Sequence, residues 1–237
     1  MPFVARLVPV ALLLTAVPAT ASPDYPHVPE PMIFDMMRPL GARQGELEVN
    51  TLATAPLSGP DGTVAWAPEI EYAVVDGFAV EFELPFENGR LTELKLGLQG
   101  AFGTFNGGRS AHGVQYLGIY DRHEKRYAST AAYMLAHRFD DRWSTLSMVG
   151  LWDIDPNGGP GRNAAIVNHS TFYDVAKGSV LGLEVNYRGG HEGHVLLMPQ
   201  MHQRLARSVN VQFGVGAQKD RGEPFRPKAG LRLIREF

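Results

Sequence analysis

The sequence predicts an all-β fold: a transmembrane antiparallel up-and-down β-barrel of about twelve strands. Three observations carry that expectation. After Ala42 the chain divides into alternating segments separated by turn residues. Most are of roughly ten residues, the length a tilted strand needs to cross a bilayer. The last segment, Lys228–Phe237, sets Ala229, Leu231, Leu233 and Phe237 on one face at period two and closes on an aromatic ring. Trp66, Tyr72, Trp143, Trp152, Tyr173, Tyr187 and Phe237 lie near expected strand ends, where aromatic girdles belong.

The N-terminus reads as a secretory signal, residues 1–21. Arg6 supplies the positive charge, Leu7–Val17 the apolar run and Ala19-Thr20-Ala21 the cleavage site, so the mature chain is expected to start at Ser22. The apolar run is too short for a spanning helix. The chain has no cysteine, which removes disulfides, thiolate metal sites, cysteine nucleophiles and lipid attachment after the signal. A closed barrel gains rigidity without crosslinks. The formal charge is −3 with no basic stripe, an argument against nucleic acid as a partner. A mean hydropathy of −0.14 excludes a bundle of spanning helices but fits a barrel or a soluble β-protein equally.

Residues 22–43 carry Pro23, Pro26, Pro29, Pro31 and Pro39, a density that prevents regular structure. They are expected to form a Pro-rich periplasmic N-terminal segment. Within it, the apolar stretch from Met32 to Met37 either plugs or braces the barrel mouth, or is a linker with one packed turn.

The barrel itself is assigned to residues 44–237. Strands are expected near 45–54, 64–74, 78–86, 91–101, 112–121, 126–138, 143–152, 163–173, 179–187, 193–203, 207–217 and 227–237. An even number suits a single-chain bacterial barrel. With both termini periplasmic, the inner turns Val75-Asp76-Gly77, Phe139-Asp140-Asp141, Ala176-Lys177-Gly178 and Leu205-Ala206-Arg207 are tight. The outer loops near 152–163, 187–193 and 217–226 are longer and rich in Gly, Pro and charge. Residues 100–112 break the rhythm. They either fold into the barrel mouth or mark a miscounted strand.

Strand faces follow from parity. Ile70, Tyr72 and Val74 oppose Glu69 and Glu71; Phe78, Val80, Phe82, Leu84 and Phe86 oppose Glu81 and Glu83. Leu94, Leu96 and Leu98 oppose Glu93, Lys95 and Gln99. Leu183 and Val185 oppose Glu184 and Asn186, and Val209, Val211, Phe213 and Val215 oppose Asn210 and Gln212. In a membrane barrel the apolar side meets lipid and the polar side faces the lumen.

Two resemblances add to this. A C-terminal alternating strand ending on Phe resembles those of bacterial outer-membrane barrels, in which that strand is the sorting signal read by the assembly machinery. The resemblance implies that Phe237 is an assembly signal and that the barrel-assembly machinery and outer-membrane lipids are partners. Arg235 departs from the apolar pattern and must snorkel at the membrane edge or lie just outside it. The run from Pro68 to Glu87 is similar to a proteobacterial outer-membrane family labelled after the meta-pathway of phenol degradation. It shares Pro-Glu-apolar-Glu-Tyr, an Asp-Gly turn and alternating Glu to Leu-Pro. The similarity covers this hairpin well and the rest loosely. It implies passive or gated passage of small solutes in the outer membrane and supplies no catalytic residue or cofactor. The alternatives are a structural or envelope-assembly barrel without a pore and a lipid-modifying enzyme.

The candidate site is a lumen acidic cluster of Glu69, Glu71, Glu81 and Glu83, joined by Glu93, with Lys95 as a lumen cation. Such carboxylates make either a cation-preferring wall or a structural carboxylate–cation ladder. His194, Met198 and His202 share a face, but their spacing of four prevents joint ligation of one metal. His191 and His194 are only two ligands. Asn168-His169-Ser170 invites comparison with a Ser-His-Asn esterase. Strand neighbours point oppositely, so His169 and Ser170 cannot form a local pair. No metal site is assigned.

Overall fold

A computed structural model describes residues 25–34, 36–59, 62–155, 158, 162–191 and 193–237. The export signal lies outside these residues. All regular structure among them is strand. Fourteen strands follow one another: β1 Leu47–Pro56, β2 Ala65–Val75, β3 Phe78–Glu83, β4 Phe86–Glu87, β5 Arg90–Leu91, β6 Glu93–Phe105 and β7 Ser110–Asp121. Then come β8 Arg126–Arg138, β9 Trp143–Ile154, β10 Ala164–Ala176, β11 Ser179–Arg188, β12 His194–Ala206, β13 Val209–Asp220 and β14 Arg226–Glu236. Every pairing is antiparallel. β1 pairs with both β14 and β2, so the sheet closes on itself as a barrel.

Twelve strands form the wall, as expected from the sequence. The short β4 and β5 continue β3 and β6 beyond an interruption at Leu84-Pro85. Pro85 has no N–H to give to the ladder, and the Leu84 N–H turns instead to the Pro68 carbonyl at 3.0 Å. The ribbon reverses on Asn88-Gly89 with φ of 48° and 78°, the left-handed pair a two-residue hairpin demands.

Neither alternative for residues 100–112 holds: they do not fold into the barrel mouth, and no strand was miscounted. β6 runs on to Phe105 and β7 starts at Ser110. Asn106, Gly107 and Gly108 carry φ of 55°, 67° and 81°, which lets the chain reverse in four residues. At the turn between β8 and β9, the Asp140 carboxylate accepts the N–H groups of Arg142 and Trp143 at 2.8 and 2.7 Å. Those bonds favour its charged form and hold its pKa below the usual carboxylate value.

The exterior is apolar. Leu96, Val149, Leu183, Phe213, Leu231 and Leu233 stand exposed on it, Leu96 at 58 %. Glu48, Glu71, Glu81, Glu184, Gln212 and Arg232 point the other way and are buried. This inversion places the outer face in lipid. Trp66, Trp143, Tyr187 and Phe237 are exposed near strand ends, and Trp143 packs on Tyr173 at 4.7 Å between ring centres. Trp152 departs from the expected girdle. Its parity turns it inward, where it packs against the buried interior and donates from Nε1 to the Gly189 carbonyl at 3.0 Å. Arg235 is exposed, with its guanidinium 5.0 Å from the Phe237 ring centre. The Phe237 N–H bonds the Leu47 carbonyl at 2.9 Å across the barrel seam.

Candidate functional site

The barrel interior is filled by the chain preceding β1. Val28, Met32, Phe34, Met36, Met37 and Leu40 are all buried there, as are Glu30 and Arg38. We call residues 25–34 and 36–42 the inner segment. The prolines forbid it a regular strand, and it bends at residues 32–34 and 38 and turns at 40–41, so the wall must satisfy its backbone with side chains.

The wall does so from several strands. Glu184 of β11 accepts the N–H groups of Met32, Ile33 and Phe34 at 3.1, 3.0 and 2.7 Å. Gln200 of β12 also accepts from Met32, at 3.0 Å. Gln99 of β6 donates to the Arg38 carbonyl at 2.6 Å, Arg138 of β8 to the His27 carbonyl at 2.8 Å, and Arg232 of β14 to the Pro31 carbonyl at 3.3 Å.

The wall has two sides. On β7 to β10, Ala111, Ala132, Met134, Ala136, Leu146, Met148, Ile166 and Phe172 point inward and form one cluster with Val28, Phe34, Met36 and Leu40. The expectation of a uniformly polar lumen therefore fails on this side. An apolar wall is stable here because the inner segment covers it. The opposite side, on β1 to β3 and β14, is charged. Glu69 and Glu83 are direct cross-strand partners, as are Glu71 and Glu81. All four are buried, and carboxylate oxygens of Glu69, Glu71 and Glu81 lie within 4.8 Å of one another. Lys95 forms an ion pair with Glu83 at 3.0 Å. Glu93 is half-buried two positions along β6 toward its outer end, opposite Asp121, and is not among the three clustered carboxylates.

Arg232 is the centre of the charged side. Its Nη2 lies 2.6 Å from Glu69 and 3.5 Å from Glu71, its Nη1 4.0 Å from Glu30, and its Nε 3.1 Å from the Asn50 oxygen. Sequence reasoning singled out Arg235 on this strand and passed over Arg232. The available signal was parity: Arg232 alternates with the lipid-facing Leu231 and Leu233. A second buried pair joins segment to wall, between Arg38 and Glu48, and Arg38 also meets Glu46 at 3.0 Å.

The remaining candidates fall into place by face. Met198 and His202 are buried inside, and His202 Nε2 lies 3.1 Å from the Gln200 oxygen. Ser170 is buried in the lumen, whereas His169 is exposed outside with Nδ1 2.8 Å from the Ser147 hydroxyl. The two do not meet. The glutamate trio has the donor set of a hard-cation site, and the Arg232 guanidinium already supplies positive charge beside it.

A closed antiparallel barrel with a lipid-compatible exterior and a polar–apolar interior is an outer-membrane barrel. Solved structures share the fold at very low identity. The KdgM porin superposes with a TM-score of 0.64 at 8 % identity, covering 80 % of this chain and 99 % of that one. The NanC porin gives 0.62 at 7 %, covering 80 % and 98 %. An outer membrane channel from Pseudomonas putida gives 0.57 at 12 %, covering 84 % and 98 %. No family model and no curated protein matches the sequence.

Proposed function

We propose that the barrel passes small solutes across the outer membrane and that the inner segment closes it. The observation that carries this is a wall cleared for the segment. Inward-facing glycines sit where it lies. A Cβ at Gly230 would meet the Met32 terminal carbon first, at 2.8 Å, and one at Gly97 would meet the Met37 side chain first, with its sulfur at 2.9 Å. Small barrels fill their interior with side chains from their own wall. This one leaves a path and occupies it with chain from outside the sheet.

The likeness to porins supports passage as the class of function. The resemblance of Pro68–Glu87 to the family labelled after phenol degradation favours small organic molecules. KdgM has been seen with oligogalacturonate, a polyanion; the glutamate-lined wall here repels such a cargo. Glu69, Glu71, Glu81, Glu83 and Glu93 would bias passage toward cations, with Lys95 and Arg232 holding the cluster together. Phe237 would serve assembly.

Planar-bilayer recording of the purified full chain tests the proposal. The expected record is a mostly closed barrel with brief cation-biased openings, more frequent when Met32→Ala or Phe34→Ala weakens the segment. Silence in both forms, with the barrel shown folded by heat-modifiable migration, would overturn it. Lipase activity in that silent barrel would favour the enzyme, and its absence the structural barrel.

A further inference from the structure

The solute class can be inferred from what occupies the lumen. We propose that the space vacated by the inner segment binds elongated amphipathic organic cations, with one apolar flank and one guanidinium- or ammonium-like head. This rests on the channel reading above and names the cargo of that channel.

The occupant has this chemistry. Its apolar flank, Val28, Phe34, Met36 and Leu40, lies on the Met- and Phe-bearing wall of β8 to β10. Its head, the Arg38 guanidinium, is 6 % exposed and held by Glu46 and Glu48. Arg38 is two residues from both Met36 and Leu40, so the backbone between head and flank spans at most about 7 Å. A small molecule of about that length can span both walls.

Departure of the segment removes one buried cation, Arg38, and one buried carboxylate, Glu30, so the net charge stays level and a wall itself rich in carboxylates is uncovered. Arg38 leaves Glu48 without its buried guanidinium. Glu30 leaves as well, and it is the segment's own carboxylate beside Arg232. The buried glutamates that stay on the wall are Glu48, Glu69, Glu71, Glu81, Glu83 and Glu184, against Arg232 and the part-buried Lys95; of the other part-buried wall cations, Arg126, Arg138 and Lys228 are engaged by Asp153, Asp174 and Gln218. Carboxylates on a narrow, weakly hydrated wall are stabilised by an entering cation and disfavour an anion of the same shape. The apolar wall, uncovered at the same moment, favours a ligand that covers it again. One molecule with both properties replaces both contacts.

The chain lacks cysteine, so Met36→Cys introduces a single thiol at a buried position of the segment. Its rate of reaction with a maleimide reports release. The purified full chain is titrated with 4-phenylbutylguanidinium and, separately, with 5-phenylpentanoate, a similar shape of opposite charge. The expected result is a saturable rise of at least fivefold in labelling rate with the cation and none with the anion. Glu48→Gln should raise the basal rate and shrink the cation response. Equal responses to the two probes would overturn the charge assignment. No response to the cation, in a chain whose thiol does react once Glu184→Gln loosens the segment, would overturn the site. Val28→Cys serves as the reporter if Met36→Cys does not fold. Labelling needs no current, so a cation that releases the segment of an electrically silent barrel would remove the channel reading alone.

Discussion

The Glu184 carboxylate is the point at which the docked segment can be weighed. Its Oε1 accepts the Phe34 N–H and the Asn186 amide, both at 2.7 Å. Its Oε2 accepts the Met32 and Ile33 N–H groups and the Gln200 amide. Glu184→Gln keeps the volume but turns one acceptor into a donor. In the less costly orientation the new NH2 faces Phe34 and Asn186. One segment N–H is then stranded in a dry site, at about 1–3 kcal/mol. The bonds to Met32 and Ile33 lose their charge, at about 1 kcal/mol each. Docking should weaken by about 3–5 kcal/mol, at the lower end roughly 150-fold in the docked-to-released ratio. The maleimide rate at Met36→Cys should rise by about two orders of magnitude if release precedes labelling. The barrel ladder does not use this side chain, so heat-modifiable migration should persist. A labelling rate within twofold of the parent, in a folded barrel, would refute the claim that Glu184 latches the segment.

Three further outcomes follow from the same geometry. Glu71→Gln with Glu81→Gln should lower the cation-to-anion permeability ratio. The loss should shrink near 1 M salt, where the Debye length is about 3 Å; a ratio unchanged at low salt would remove these glutamates from the conduction path. The same pair should lower thermal stability, because Glu71 accepts from Asn50 at 2.8 Å and lies beside Arg232. Deleting Phe237 removes the Leu47 bond and the ring under Arg235, and membrane yield should fall; full yield of heat-modifiable barrel would count against an assembly role. Asp140 has a folded pKa below its unfolded value, so its contribution is present above the unfolded value and is lost as pH falls through the folded one. Amide exchange at Arg142 and Trp143, corrected for intrinsic rates, should accelerate as pH falls below the unfolded Asp value of about 3.9 in the parent but not in Asp140→Ala; identical profiles would refute this.

The wall was legible because its information is local. Period-two alternation is a property of each strand, and it correctly turned Glu69, Glu71, Glu81 and Glu83 away from the lipid-facing Ile70, Tyr72 and Phe82. Asp76-Gly77 and Lys177-Gly178 announce reversals because Gly77 and Gly178 take φ of 75° and 84°. The interior was less legible because it depends on contacts far apart in sequence. Met32 and Glu184 are 152 positions apart, and Arg232 and Glu69 163. A local signal existed and was weak. In β8, Ala132, Met134 and Ala136 point inward while Tyr133 and Leu135 point outward, so alternation lapses. A strand apolar on both faces, in a barrel otherwise polar inside, requires an apolar occupant. Trp152 carried the same message: an aromatic at a strand end belongs to the girdle only if its parity faces lipid.

The proline density of the inner segment and its burial have one cause. Chain inside a closed barrel has no neighbouring strand to pair with, because every wall strand already has two. Each buried N–H left over would cost about 1–3 kcal/mol. Proline has no N–H to satisfy. Pro26, Pro29, Pro31 and Pro39 therefore shorten the list of donors the lumen must meet. The consecutive donors of Met32, Ile33 and Phe34 converge on the single carboxylate of Glu184. Carbonyls remain, and the wall meets those of His27, Pro31 and Arg38 with long donors, Arg138, Arg232 and Gln99, which reach inward without distorting the sheet. A helix would satisfy its own backbone but needs a cylinder of about 10 Å with side chains. A single irregular chain is thinner. The same composition that rules out regular secondary structure thus makes the segment able to lie in a narrow lumen. The segment is therefore held by side chains and buried ion pairs rather than by a ladder of backbone hydrogen bonds.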